Sequence, residues 1–574
     1  MALINFAAGI RRTPILIIAG PLSKVFEKAF MFPFHVDYCW PIILYAETHY
    51  KFKGIYSFFF KKEPEIIADA PFRVAPDQSI PVVVLVKDAH RFPIKLLEVV
   101  ITMQAAQHAL RRQTFQLNTP IHQERLWYRI FYLEPWDDYA GDVLIDVELK
   151  IDCAGQVKRY HNDNYRLSSH RPLQIHIAHE PLPGGENWHW GDFHYHSQLT
   201  EDQVEFGAPL EVAVAMAQAL GLSFFAVTDH SYDLDDQEDS WTENDQQLPK
   251  WHRLLAEVSQ LNQQFRDFVI IPGEEVSAGN THDRNVHLLV LNNQQFFPGK
   301  GDSAERWFHT RPDLSIPQIL DQLENSALAI AGHPEMPVPW LQWLLIRRGR
   351  WHWSDFLHEN LHGYQLWNGE EDRAFKLFPI TWQKLLLNGQ KIGLIAGNDA
   401  HGNFNRFRQI GFPFFTFAES ESQLFGKMRT GVRVAHHFDL PHLIAAVQGC
   451  HAVISNGPMI DAHARVSGSG TPNAWIGDTI KSSQFDLSIH CQSSTEFGRL
   501  YSLIIHCGDL IQKQEQAILT VTKFPHPYQF SFQHRFDLPI AAGYLRLDLI
   551  AELPNGRQTR CLTNPIWFEN QKSI

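Results

Sequence analysis

No stretch of this chain is long and apolar enough to read as a bilayer span. Its 6 cysteines, at 39, 153, 450, 491, 507 and 561, contain no CxxC pair. That leaves a disulfide framework or a cysteine-type zinc ribbon without support, and free thiols of a reducing, cytoplasmic compartment are expected. Positive charge is in deficit, with 50 Lys and Arg against 63 Asp and Glu and a formal net charge of −13. A nucleic-acid polymer needs concentrated Lys and Arg and is not an expected partner. A small phosphorylated substrate stays open, since a metal centre supplies its own positive field. A secretory leader is not expected either: in MALINFAAGIRRTPILIIAG the basic pair Arg11 and Arg12 follows an apolar stretch.

At 574 residues the chain is too long for one core. Residues 1–60 form an aromatic-rich extension with no clear period, expected to pack on the body or on a second subunit. A homo-oligomer is therefore a possible partner state. Residues 61–180 alternate apolar and polar, as in SIPVVVLVKD and GDVLIDVELKID, and read as a β-sandwich-like domain. From 187 to 458 short apolar runs alternate with amphipathic helical segments, the signature of parallel βα units. Period two returns over 459–574 and predicts a second β-sandwich-like domain. The expected fold class is thus multidomain, α/β plus all-β, with an α/β barrel between two β domains.

Histidine is abundant, at 31 residues. Those that matter fall in short clusters with carboxylates: His194 and His196 as HxH, Asp229 with His230, Glu275 followed by His287, His333, and Asp399 and His401 as DxH. Nearly all lie at the C-terminal end of a predicted strand, the edge where a β/α barrel builds its site. Residues i and i+2 at a strand end face the same side. Imidazole and carboxylate together suit Zn, Mn or Fe and not an all-oxygen calcium site. One catalytic zinc takes three protein ligands, so this set predicts two or three ions around Glu275. The expectation is a multinuclear metallohydrolase.

HYH (194–196), TDH (228–230), GEE (273–275) with His287, GHPE (332–335) and NDAH (398–401) together resemble the polymerase-and-histidinol-phosphatase (PHP) superfamily. The chain looks closest to its carbaryl-hydrolase-like CehA/McbA branch of metal-dependent phosphoesterases. The resemblance implies a distorted (β/α)7 barrel and a trinuclear metal centre. By that likeness His194, His196, Glu275 and Asp399 hold a first metal. Glu275 bridges to a second, held by His287 and His333. His230 and His401 hold a third with a residue after HYH, Glu201 by spacing or else Asp202. Asp229 then orients His230 or His401, or itself touches metal, and Glu274 points away.

The expected reaction is attack on phosphorus by a metal-bridging hydroxide, with Glu275 as the bridging ligand. His282, Arg284, Asn368, Arg406 and Tyr232 are the candidate substrate contacts, Arg406 first among the cations. The tryptophans at 340, 343, 351, 353 and 367 suit a core or subunit-contact role, or an apolar lid. Carboxyl-ester, amide or carbamate hydrolysis on the same centre is the alternative. A non-catalytic metal-containing module is the third reading.

Overall fold

The computed structural model describes residues 63–570, apart from 107, 165–169, 201–206, 239, 302, 304–309, 370–373, 406–408, 413–414, 419–422 and 467–473. The expected extension at 1–60 lies outside the described residues.

The first part is all β. Glu65–Asp69, Ile80–Lys87 and Leu126–Leu133 form an antiparallel sheet. Arg73–Val74, Leu173–Ile177, Gly141–Cys153, Ile94–Ala105 and Arg111–Ile121 form a second, with Gln156–His161 beside Gly141–Cys153. Alternation is the cause: in Gly141–Cys153 the side chains of Val143, Ile145, Val147, Leu149 and Ile151 are all buried, and their neighbours face outward. The two sheets share one apolar core.

The middle is α/β. A six-stranded sheet runs in the order Asp229–His230, Gly273–Gly279, Asn285–Leu291, Leu328–Ala331, Gly363–Asn368 and Gly393–Gly397. Beside it, Val269–Ile271, Phe224–Val227 and Trp188–His196 pair in parallel within a larger sheet. Phe193, Phe224, Ile271, Leu289, Ile330 and Ile395, drawn from both sheets, pack in one cluster, so the strands curl into a half-barrel. Helices Leu210–Leu220, Pro249–Gln264 and Ala374–Leu387 lie between strands in the chain.

The sheet is a curled half-barrel and not specifically the distorted (β/α)7 barrel that the resemblance implied, and that expectation is corrected. Asn285–Leu291 runs antiparallel to both neighbours. The physical reason is loop length: only Asn280–Arg284 separates it from Gly273–Gly279, and a parallel return needs a crossover of a dozen or more residues.

The larger sheet continues past the α/β part. Ala452–Ser455 pairs with Gln558–Thr563, which leads through Ala542–Glu552 to Arg499–Asp509 and Gln514–Val521. A four-stranded sheet of Ala474–Trp475, Met459–Val466, Gln484–Gln492 and Gln529–Asp537 packs alongside. The whole is a multidomain α/β architecture, a curled half-barrel sheet flanked by β-rich sheets.

Candidate metal centre

Every described residue proposed as a ligand arrives at one edge of the curled sheet. His194 and His196 end the strand Trp188–His196. His196 stands in parallel register with His401, and His230 with Glu275. Asn285–Leu291 runs the other way, so His287, near its start, reaches the edge where its neighbours end. His333 lies two residues beyond Leu328–Ala331 and Asp399 two beyond Gly393–Gly397. Asp399 and His333 have φ of +53° and +28°. Neither is glycine, and such strain persists at sites the surrounding structure over-determines.

Glu275 is fully buried at the middle. Its Oε1 is 2.5 Å from His287 Nδ1, 3.2 Å from His333 Nε2 and 3.4 Å from His194 Nε2. Its Oε2 is 3.0 Å from His230 Nδ1 and 3.5 Å from His196 Nε2. Asp399 Oδ1 is 3.0 Å from His196 Nε2 and 3.4 Å from His194 Nε2, and these two nitrogens are 3.2 Å apart. Ligand atoms about 2.0–2.2 Å from one ion stand roughly 3.0–3.5 Å from each other. The spacing of this quartet therefore fits a single cation in its midst. Among the described residues, three groups of side chains can chelate a metal: His194, His196, Glu275 and Asp399; His230, Glu275 and His287; and His196, His230 and His401.

The ring nitrogens are poised for it. Gln365 Oε1 accepts from the backbone N–H of His333 at 3.2 Å, which fixes it as the carbonyl oxygen. His194 Nδ1, 3.0 Å away, must therefore donate to it. Thr200 Oγ1 donates to Asp229 at 2.8 Å and so accepts from His196 Nδ1 at 3.3 Å. His401 Nδ1 donates to the carbonyl of Asp399 at 3.1 Å. In all three rings this leaves Nε2 as the nitrogen offered to a metal.

Electrostatics agree. Burial alone would raise Glu275, but His287, His194 and His230 outweigh it and hold the carboxyl well below its usual range. Burial likewise opposes the ionisation of Asp399, and His194 and His196 overcome it. Burial, then His401 and His230, keep His196 neutral. Burial would also lower His194, yet Asp399 and Glu275 draw it up to about 9. That field favours a cation at this point, and a metal displaces the proton. Metal ions fit the residues present.

Other predicted residues take definite places. Asp229 accepts from Ser197 N, Ser197 Oγ and Thr200 Oγ1, at 2.6, 2.7 and 2.8 Å, and so anchors the turn after HYH. Glu274 turns to the far side, accepting from Ser231 Oγ and Phe297 N at 2.9 Å each. Asn368 Nδ2 donates to Asp399 Oδ2 at 3.1 Å. Tyr232 stacks on His230 with centroids 4.6 Å apart. Arg284 lies over the Trp343 ring at 4.0 Å and donates to the Trp343 carbonyl at 2.9 Å. His282 packs edge-on against His352 at 4.2 Å. Glu201, Asp202 and Arg406 lie outside the described residues. His333 falls beside Glu275 and outside the three chelating groups, where His230 stands with Glu275 and His287 instead. Trp367 is buried, whereas Trp340, Trp343 and Trp353 are exposed.

Two residues at the site were missed. Gln365 links His194 to Asn368, donating from Nε2 to Asn368 Oδ1 at 2.9 Å. Arg348 sets its guanidinium against the His287 ring, Nη1 on Nε2 and Nη2 3.3 Å from Nδ1. Both line up only through tertiary approach. The one hint in sequence was IRRGR (346–350), an arginine cluster between predicted strand ends.

No family model matches the chain, and no curated protein matches it. Among solved structures, a β-glucuronidase from Bacteroides uniformis is similar at 12% identity over 88% of this chain and 61% of that one, with a TM-score of 0.18. A β-glucuronidase from Parabacteroides merdae shows 9% identity over 88% of this chain and 64% of that one, at 0.17. A glycoside hydrolase family 2 member from Bacteroides cellulosilyticus shows 9% over 88% and 63%, at 0.16. The chain thus spans under two thirds of these structures. TM-scores this low carry no argument about fold or activity. The assignment to the PHP superfamily and its CehA/McbA branch is corrected: no family model matches the chain. What the site itself defines is a metal-binding enzyme, on the strength of three His, Asp and Glu groups able to chelate divalent ions.

Proposed function

We propose that this protein is a metal-dependent phosphoester hydrolase. The observation that carries the reading is Arg348, a permanent cation against His287 at the edge of the chelating groups. A guanidinium matches phosphate oxygens in geometry and charge, and a carboxyl ester or carbamate has no such need.

His194, His196, Glu275 and Asp399 would hold one ion, Glu275, His230 and His287 a second, and His401 with His230 a third. Bound there, Zn, Mn or Fe ions would lower the pKa of water and offset charge on the phosphoryl oxygens. The chain does the positioning. Gln365 and Thr200 fix two imidazoles, Asn368 holds Asp399, and Arg348 orients the anion. A pocket beside them is lined by His287, His333 and Arg348, with Val286, Met336 and Trp351 as an apolar wall. That wall would take the organic part of the substrate and exclude water. It also favours the second reading, carboxyl-ester or carbamate hydrolysis.

Hydrolysis of p-nitrophenyl phosphate, bis-p-nitrophenyl phosphate and a p-nitrophenyl ester by metal-loaded protein separates the two. Turnover of a phosphate ester that falls in Arg348→Met supports the proposal. Carboxyl-ester turnover alone, indifferent to Arg348, overturns it.

A further inference from the structure

The large apolar side chains that stand exposed are not scattered. Six of the thirteen among the described residues, Trp340, Trp343, Leu344, Leu345, Trp353 and Leu357, fall within 340–357. Leu344 and Leu345 are each 59% exposed and Trp343 is 49%. Single exposed leucines are ordinary, but a cluster of this kind marks a contact surface.

The helix Trp340–Leu345 is tied to the candidate metal centre. Asn285, which opens the strand carrying His287, donates its N–H to the Arg347 carbonyl at 3.1 Å and accepts from Gly349 N at 2.7 Å. Gln342 and Arg348 line the pocket. Trp343, Leu344 and Leu345 belong to the same short helix as Gln342 and stand exposed beside the pocket lining.

Charge selects what covers them. Residues 340–357 contain three arginines and one acid, Asp355, in a chain of net charge −13. Arg284 adds a fourth, seated on Trp343. The acids there are engaged: Asp283 by Arg347 at 3.2 Å, and Asp355 by the N–H groups of Thr281 and His352 at 2.8 and 2.7 Å. A second copy meeting it patch to patch would set like charge against like. So would residues 1–62 of the same chain, with eight Lys and Arg against three Asp and Glu. An anionic lipid surface is complementary. It attracts arginine at the headgroups, buries leucine below them and accepts tryptophan at the boundary.

We propose that the helix Trp340–Leu345 and its arginines seat the pocket mouth on an anionic phospholipid surface, and that the substrate is a phosphorylated lipid headgroup. This rests on the phosphoester reading above. Water oxygen would bond to phosphorus, the bond from phosphorus to the lipid oxygen would break, and the lipid alcohol would leave with a proton.

The test is co-sedimentation of the full, metal-loaded chain with vesicles of phosphatidylcholine alone or with added phosphatidic acid, alongside phosphate release from the latter. Binding is expected to the anionic vesicles only. It should weaken about tenfold or more in L344E/L345E, and phosphate release should fall with it. Turnover of soluble p-nitrophenyl phosphate should be unchanged in that variant. Absence of anionic preference, binding indifferent to L344E/L345E, or self-association that the variant abolishes would each overturn the surface. Vesicle binding without phosphate release, by protein that turns over p-nitrophenyl phosphate, would overturn the lipid substrate. If the variant does not fold, the wild type decides: binding that persists unchanged from about 0.05 to 0.5 M salt contradicts the proposal. Loss of all phosphate-ester turnover with binding intact would instead strike the phosphoester reading.

Discussion

Gln365 accepts a hydrogen bond from His194 at 3.0 Å, and through that one contact it decides which nitrogen of His194 faces Glu275 and Asp399. A ligand's partner of this kind typically accounts for about 10–100-fold in metal affinity. Gln365→Leu is expected to weaken binding of the tightest metal by that order, and to cost the metal-free protein about 1–3 kcal/mol because His333 N and Asn368 Oδ1 lose a buried partner. Competition titration with a chromophoric chelator reads the affinity directly.

Gly397 packs against the same histidine. A Cβ there would meet His194 Cβ at 2.6 Å and His194 N at 2.9 Å, neither of which can yield. Gly397→Ala should cost on the order of 1–3 kcal/mol as overpacking. It should also displace His194, so metal content falls with stability. Thermal melts paired with metal analysis check both. A variant of normal metal content would show that the strand tolerates the methyl group.

Much of this site was legible because the ligand types sit at the ends of apolar runs: HYH, GEE and NDAH each follow one. The antiparallel course of Asn285–Leu291 was legible in principle too, since five residues cannot make a parallel crossover. Gln365 and Arg348 were not. Nothing local distinguishes a glutamine in a buried strand, or one arginine of three, and only the fold brings them onto His194 and His287. The β regions followed from period two, as Gly141–Cys153 shows. The continuity of one sheet from Ala452–Ser455 into Gln558–Thr563 did not, because pairing across a hundred residues leaves no trace in periodicity.

Arg348 should separate binding from metal chemistry. In Arg348→Met the KM for a phosphate monoester is expected to rise about tenfold or more, as a bidentate charged contact is lost. Metal stoichiometry should stay the same. Steady-state kinetics with metal analysis of the same preparation test it, and unchanged KM would remove Arg348 from the substrate site.

Acid should weaken the C-terminal β region before it touches bulk carboxylates. His506 is largely buried beside Arg546, and burial followed by that charge lowers it to about 4. The unfolded chain binds the proton near pH 6.5 and the folded chain only near 4, so stability is full above 6.5 and declines as pH falls between them. The loss is about 3 kcal/mol at most for this group. Glu515, held below its usual range by Arg546 against the opposing effect of burial, adds a further loss at lower pH. Denaturant melts at several pH values should show a shallower decline in His506→Gln. An identical decline would assign the acid sensitivity elsewhere.

The most direct test of the account is metal analysis of the full chain and of Glu275→Ala, each after reconstitution with Zn, Mn or Fe, with phosphate-ester turnover measured on the same samples. Glu275 belongs to two of the three chelating groups. A centre joined through Glu275 requires two or three ions per wild-type chain, loss of more than one in the variant, and turnover abolished with them. A wild-type chain that binds no stoichiometric metal, or a Glu275→Ala variant that keeps its full complement, would contradict it.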